Sequence, residues 1–260
     1  MTKVLFLSRG SGMGYATRDL LLVEELQRKH SSVEFIIASY ADGAKALKIR
    51  NIPCIDLGLP PMGLAHERMV RIGKLLQHER PDLVVADEEL FALPLCRVFD
   101  IPSIFVTNWL ASEDVVSNVS LLLCAEKVLV TDLEDAFIPP LWLEEKTVFV
   151  GPICRLEAEE ERPSAKQELG LDAKRKVVLI TAGGSDVSDV VYFGICAYAL
   201  SSLSVPLQVI AVAGPWYQIL KPMEYAWLMS IQFTDYLPNL TRYIAASDLV
   251  FTRGGHTTLW

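Results

Sequence analysis

The feature that most constrains this chain is an alternation that runs through it twice. Short runs rich in Val, Ile, Leu and Phe are separated by longer stretches with helical periodicity. In the first half, strands are expected at residues 4–7, 33–38, 53–57, 83–86, 103–107, 127–131 and 147–150, with helices at 17–30, 41–50, 67–79 and 91–99 between them. The runs are apolar throughout and do not alternate with polar residues, which marks strands buried on both faces. Such strands belong to a parallel sheet covered by helices on each side. After residue 175 the alternation restarts, with strands at 176–181, 207–211, 231–234 and 249–252 and helices at 188–200 and 240–246. The expected fold is therefore α/β, with two Rossmann-like, doubly wound parallel-sheet domains. The expected boundaries are 1–151 and 176–260, joined by a linker at 152–175 that opens with Gly151-Pro152 and carries the acidic residues Glu157, Glu159, Glu160 and Glu161.

Three glycine turns carry the chemistry. The first follows the first strand and holds Gly10, Gly12 and Gly14, with Tyr15 and Arg18 directly behind. A glycine turn between strand and helix lets backbone approach a ligand, with the helix N–H groups pointing at it. Its G-x-G-x-G spacing is not that of a dinucleotide fingerprint, and no acid clearly closes the second strand, so no nicotinamide or flavin cofactor is expected. The second turn, with Gly183, Gly184 and Ser185, repeats this arrangement after the first strand of the second half. The third runs from Arg253 through Gly254, Gly255 and His256 to Thr257 and Thr258. A helix start with two hydroxyls and an arginine makes a diphosphate cradle, whereas a plain capping turn needs one hydroxyl.

The net charge of −8 shows no basic stripe for nucleic acid, so phosphate must be held by local groups. The five cysteines are scattered without C-x-x-C spacing, which points to free thiols in a reducing compartment and to no metal site. Met1 leads straight into an apolar strand too short for a secretory leader, and no run approaches ~20 apolar residues. The expected location is cytoplasmic, or the inner face of the membrane.

At these turns the sequence resembles the GT-B glycosyltransferases, and most closely the family 28 type that includes the peptidoglycan N-acetylglucosaminyltransferase and diacylglycerol glycosyltransferases. The resemblance spans nearly all of the chain. It rests on Gly10 to Arg18, on Arg80-Pro81 to Asp87, on Val150 to Arg155, on Gly183 to Ser185, on Tyr236 to Asn239 and on Ala246 to Thr258, in that order. It implies transfer of a hexose or N-acetylhexosamine from a UDP-sugar, inverting and metal-independent, with helix dipole and backbone donors stabilising the leaving diphosphate. It further implies that Leu237 reads the base, that Gly183, Gly184, Ser185, Arg253, Gly255, His256, Thr257 and Thr258 hold the rest of the donor, and that the loop of Gly10, Gly12 and Gly14 faces the acceptor. Arg18 and Asn108 stand at the same edge, each with an equally ordinary structural role open to it.

Two departures bear on catalysis. Tyr15 stands where the family often has histidine, and a phenol titrating near ~10 is a poor base at neutral pH. A base, if one exists, falls to Asp87, Glu88 or Glu89 at the end of the fourth strand. The family also has a ribose-binding glutamate just beyond the position of Trp260. The second domain is accordingly expected to be incomplete and these 260 residues inactive by themselves. The acceptor (glycan, lipid or small molecule) is not specified. Peripheral membrane contact would fall on residues 59–64 with Arg68, Arg71 and Lys74, although a solvated helix face accounts for the same residues. A sugar-nucleotide epimerase and a non-catalytic GT-B-like module are the alternative readings.

Overall fold

The computed structural model describes all residues except 1, 109–117, 135, 137, 155–160, 182, 184–188, 215–228, 235, 236, 238, 256, 257, 259 and 260. The chain divides into two compact units, Met1–Cys154 and Arg155–Trp260.

Unit 1 is built on a seven-stranded sheet with the order β3-β2-β1-β4-β5-β6-β7, every neighbouring pair parallel. The strands are β1 (Thr2–Ser8), β2 (Val33–Ser39), β3 (Ile55–Asp56), β4 (Leu83–Asp87), β5 (Ser103–Thr107), β6 (Lys127–Val130) and β7 (Thr147–Phe149). Helices α1 (Gly14–Lys29), α2 (Ala41–Ile49), α3 (Ala65–Glu79), α4 (Ala92–Val98) and the single turn α5 (Val119–Leu122) connect them. Successive strand residues point to opposite faces, so β1 feeds two cores at once. Leu5 and Leu7 join Val84, Ala86, Phe105, Ile72 and Leu93 on one side. Val4 and Phe6 join Val85, Val106, Ala16, Leu20 and Leu47 on the other. An unbroken apolar run is what such a two-faced strand requires. Helix α3 ends where Arg80 turns into the left-handed region, and Pro81 then carries the chain into β4.

Unit 2 repeats the scheme with four parallel strands in the order β10-β9-β8-β11: β8 (Lys176–Thr181), β9 (Leu207–Val212), β10 (Met229–Thr234) and β11 (Leu249–Thr252). Its helices are α6 (Arg162–Glu168), α7 (Asp189–Ser201) and α8 (Leu240–Ala246). Val178 and Ile180 pack with Phe193, Cys196 and Leu200 of α7. Val177 and Leu179 pack towards Leu240, Tyr243 and Ile244 of α8. The outer side of α7 leaves Val191, Ile195 and Tyr198 exposed.

The stretch expected as linker differs from a plain connector. It contains α6, which is part of unit 2 and is held there by charge. Asp248 accepts from Lys166 Nζ at 2.7 Å and from the Val177 N–H at 2.9 Å, while Arg242 donates to Glu168 at 2.7 Å and to Glu161 at 2.6 Å. A proline in the first turn, Pro163, suits the start of a helix as well as it suits a linker. All five cysteines are unpaired. Among the described residues no helix is long and apolar enough to cross a membrane.

Burial disfavours the charge on Asp248, but Lys166, the Val177 N–H and Lys176 outweigh it and bring the carboxyl down to about 2. The stability it contributes is present above the ordinary aspartate range and is lost as the pH falls from about 4 towards 2. Asp248→Asn is expected to cost unit 2 on the order of 1–2 kcal/mol at pH 7, after allowance for solvent screening, with the deficit vanishing near pH 2. Urea denaturation across that range reads both effects.

Candidate functional site

In both sheets the strand order reverses beside the first strand of the unit, between β1 and β4 and between β8 and β11. In open α/β sheets ligands bind outside the carboxyl ends of the strands at such a reversal. The last residues of the paired strands lie side by side: Ser8 opposite Asp87 and Thr181 opposite Thr252. The glycine turns expected from sequence therefore leave from these two crevices.

In unit 1 the crevice is floored by a buried polar network. Arg18, 2% exposed, lies across the ends of three strands. Its Nε donates to Asp87 Oδ2 at 2.8 Å, its Nη2 to Asp87 Oδ1, and its Nη1 to Thr131 Oγ1 at 2.9 Å and Asn108 Oδ1 at 3.3 Å. Burial works against the Arg18 charge, but the charge and hydrogen bonds of Asp87 outweigh it and raise the pKa. Arg18 also lies over the Tyr15 ring, 5.7 Å from its centroid. Behind it, Ser8 Oγ donates to Asp19 Oδ2. Burial first, and the charge of Asp87 second, hold the Asp19 carboxyl well above the usual aspartate range.

The three acids that follow β4 have three different environments. Asp87 is fully buried with both oxygens on Arg18. Glu89 is fully buried on another side, where its Oε2 accepts from Tyr40 OH at 2.8 Å and from Arg68 Nη2 at 2.6 Å. Glu88 accepts from Thr107 Oγ1 at 2.6 Å through Oε1, is 6% exposed, and has a backbone φ of 55°. Burial, then the charge of Asp87, raise its pKa against the pull of Thr107, Arg18 and Arg9.

The Gly10–Gly14 loop is tied to β2 and α2. A Cβ on Gly10 would stand 2.3 Å from Tyr40 Cδ2 and 2.4 Å from its carbonyl oxygen, so glycine is required there. Gly12 N–H donates to Asp42 Oδ2 at 3.2 Å, and Gly14 opens α1. Tyr15 is half-buried at this first turn, and burial followed by the charge of Glu88 raises its phenol further. Tyr15 therefore stays a neutral phenol at pH 7.

Unit 2 places Gly183 just past β8 at φ 93°, a conformation open to glycine. After β11, Gly254 N–H donates to Thr252 Oγ1 at 3.3 Å, and Thr258 N–H returns to the Gly255 carbonyl at 2.9 Å. Arg253 and Gly255 are exposed and Thr258 is half-buried. Leu237 packs on the core side formed by Val177 and Leu179. Gly184, Ser185, His256 and Thr257 lie outside the described residues.

Sequence reasoning gave Arg68 to an exposed basic face; the structure turns it inward onto Glu89, between the rings of Tyr40 and Phe91. The signal was present, since Arg68 shares the helical stripe of Ile72, Leu75 and Leu76. Met62, Leu64, Arg71 and Lys74 are exposed as expected, whereas Leu59 is buried in the core.

No protein-family profile matches the sequence. An uncharacterized glycosyltransferase of Methanopyrus kandleri is 27% identical over 271 residues, covering 92% of this chain and 76% of that protein. Another, of Methanosarcina mazei, is 22% identical over 300 residues, covering 99% and 76%. The chain is similar in sequence to these two glycosyltransferases and has the GT-B fold. Among solved structures, the spinosyn rhamnosyltransferase SpnG superposes with a TM-score of 0.65 at 14% identity, covering 99% of this chain and 77% of that one. A putative UDP-N-acetylglucosamine 2-epimerase from Listeria monocytogenes gives 0.62 at 15% identity, covering 98% and 74%. These two likenesses concern the fold alone. That fold is shared by transferases and epimerases.

Two substitutions probe the unit 1 network. Arg18→Met leaves Asp87 buried without its partner and is expected to destabilise the protein by about 3–5 kcal/mol in chemical denaturation. Asp19→Asn is expected to keep the fold. The native Asp19 retains a proton that the unfolded chain releases above about pH 4, so stability falls as pH rises through that window; the asparagine variant should lack this slope.

Proposed function

We propose that the protein transfers a hexose or N-acetylhexosamine from a UDP-sugar to an acceptor hydroxyl, with inversion at the anomeric carbon and without a metal ion. The observation that carries this reading is the set of glycine turns at the two strand-order reversals, in a chain whose sequence relatives are glycosyltransferases. The likeness to nucleotide-sugar enzymes of the same fold supports it.

In this reading the unit 2 crevice takes the donor. Gly183, Gly184, Ser185, Gly255, His256, Thr257 and Thr258 supply backbone N–H groups and hydroxyls to the diphosphate and sugar. Arg253 adds a charge-assisted bond, and the backbone at Leu237 reads the base. Such donors stabilise the negative charge that develops on the leaving diphosphate, which is why no cation is assigned. The unit 1 crevice takes the acceptor against the Gly10–Gly14 loop, with Arg18, Asp87 and Asn108 fixing its floor. The acceptor is a glycan, lipid or small molecule. Exposed Met62 and Leu64 beside Arg71 and Lys74 suit shallow contact with a membrane bearing it. Five unpaired thiols fit a reducing, cytoplasmic setting.

Calorimetric titration with UDP tests the donor half. Binding in the micromolar to millimolar range is expected, and Arg253→Ala is expected to weaken it by about 10- to 100-fold through loss of one charge-assisted bond. EDTA should leave binding and turnover unchanged. Absence of UDP binding at millimolar concentration would sink the proposal, and conversion of a UDP-sugar to its epimer without an acceptor would replace it with epimerisation.

A further inference from the structure

The three consecutive acids after β4 differ in what their oxygens are already doing. Asp87 has both oxygens committed to Arg18 and is sealed from solvent. Glu89 is sealed as well, bound to Tyr40 and Arg68. Glu88 alone of the three keeps some exposure, and only its Oε1 is engaged, by the Thr107 hydroxyl. Its Oε2 accepts no hydrogen bond among the described residues. A carboxylate oxygen left open at the mouth of a strand-order reversal is available to a substrate.

The backbone points the same way. Glu88 has a φ of 55°, held by its N–H donating to the Val106 carbonyl at 3.1 Å. Glycine or asparagine adopts this left-handed conformation easily, whereas a glutamate there is strained. Strain of this kind persists where the surroundings over-determine it, and it collects at functional sites.

We propose that Glu88 is the general base of the reaction, its free Oε2 taking the proton of the acceptor hydroxyl. This rests on the glycosyl-transfer reading above. The acceptor oxygen forms its bond to the anomeric carbon as the bond from that carbon to the diphosphate oxygen breaks, and the bonding pair leaves with the diphosphate. The hydroxyl proton passes to Oε2 and is released to solvent after the product departs. Thr107 anchors the opposite oxygen. The charged and titratable groups around Glu88 are Asp87 on its own strand, Arg9 and Tyr15 on the β1–α1 loop and first turn, and Arg18 on α1. Burial and the neighbouring Asp87 hold the Glu88 carboxyl above the ordinary glutamate range, closer to the pH at which a base works best. The ionised form is the active one, so turnover rises with pH through this titration.

The test uses the full-length protein and follows release of UDP from UDP-glucose and UDP-N-acetylglucosamine, with water taking the acceptor's place. Glu88→Gln is expected to lower kcat by about 10²- to 10⁴-fold and to abolish the acidic limb of the pH profile, with UDP affinity within about twofold of the parent. Glu88→Gly relieves the positive φ; it is expected to melt at or above the parent temperature while being equally slow, which separates loss of the base from loss of the fold. A Glu88→Gln variant within about threefold of the parent, or one that keeps the acidic limb, overturns the assignment. A parent that binds UDP but turns over neither sugar nucleotide in water, and whose Glu88 carboxyl titrates in the ordinary range by carbon NMR, overturns it too. A parent that does not bind UDP at all overturns the glycosyl-transfer reading, and the base falls with it.

Discussion

The ion pair between Arg18 and Asp87 is the interaction on which unit 1 depends. A guanidinium and a carboxylate buried together cost several kcal/mol each to dehydrate, and they repay that only with nearly ideal geometry and every remaining donor satisfied. Here the fork meets both carboxylate oxygens, and the remaining Nη1 reaches Thr131 and Asn108. One side chain from α1 thus gathers the carboxyl ends of β4 and β6 and the residue just past β5. Helix, central strands and far strands are held in one register at the carboxyl end of the sheet. The pair need not add net stability to have this effect. It excludes other arrangements, since any displacement leaves a buried charge uncompensated.

The two units reach the same design with different means. In unit 1 the crevice is floored by buried charge. In unit 2 the described part of the crevice is made of small residues, hydroxyls and an exposed arginine, with the firm ion pairs placed at the opposite end of the strands, where Asp248 joins α6 to β8. Rigid carboxylates suit handling of a proton. A donor-rich turn with an arginine beside it suits an anion. Both lie at the carboxyl ends of parallel strands because that is where helix N-termini and their unpaired N–H groups point.

How much of this was legible in the sequence depended on period. Apolar runs at strand length and glycine turns behind them located the elements and the crevices, because burial on both faces leaves no room for polar residues in β1, β4 or β8. Side-chain fate at the strand exits was not legible. Asp87, Glu88 and Glu89 read as three equivalent acids, and a single left-handed residue sends them to three places. Arg18 read as half structural and half functional because its partners come from residues 69 to 113 positions away, beyond any local pattern. Arg68 was misplaced because its charge outweighed its position on the apolar stripe of α3, and the compensating Glu89 is also remote in sequence. Helix α6 was hidden by the acidic run before it and the proline in its first turn, though that is where helices admit proline.

The close approach of Gly10 to Tyr40 has a mechanical consequence. The first glycine loop rests directly on the Tyr40 ring, and that ring is pinned at its far end by the Glu89 carboxylate, which is itself gripped by Arg68. There is no slack in this chain of contacts. The loop cannot lift or settle by itself: a shift in it must turn the ring, and turning the ring must break the buried bond from Tyr40 to Glu89. The glycines therefore do not make a supple flap. They make the loop thin enough to be clamped, so that it presents a surface as stiff as the sheet beneath it.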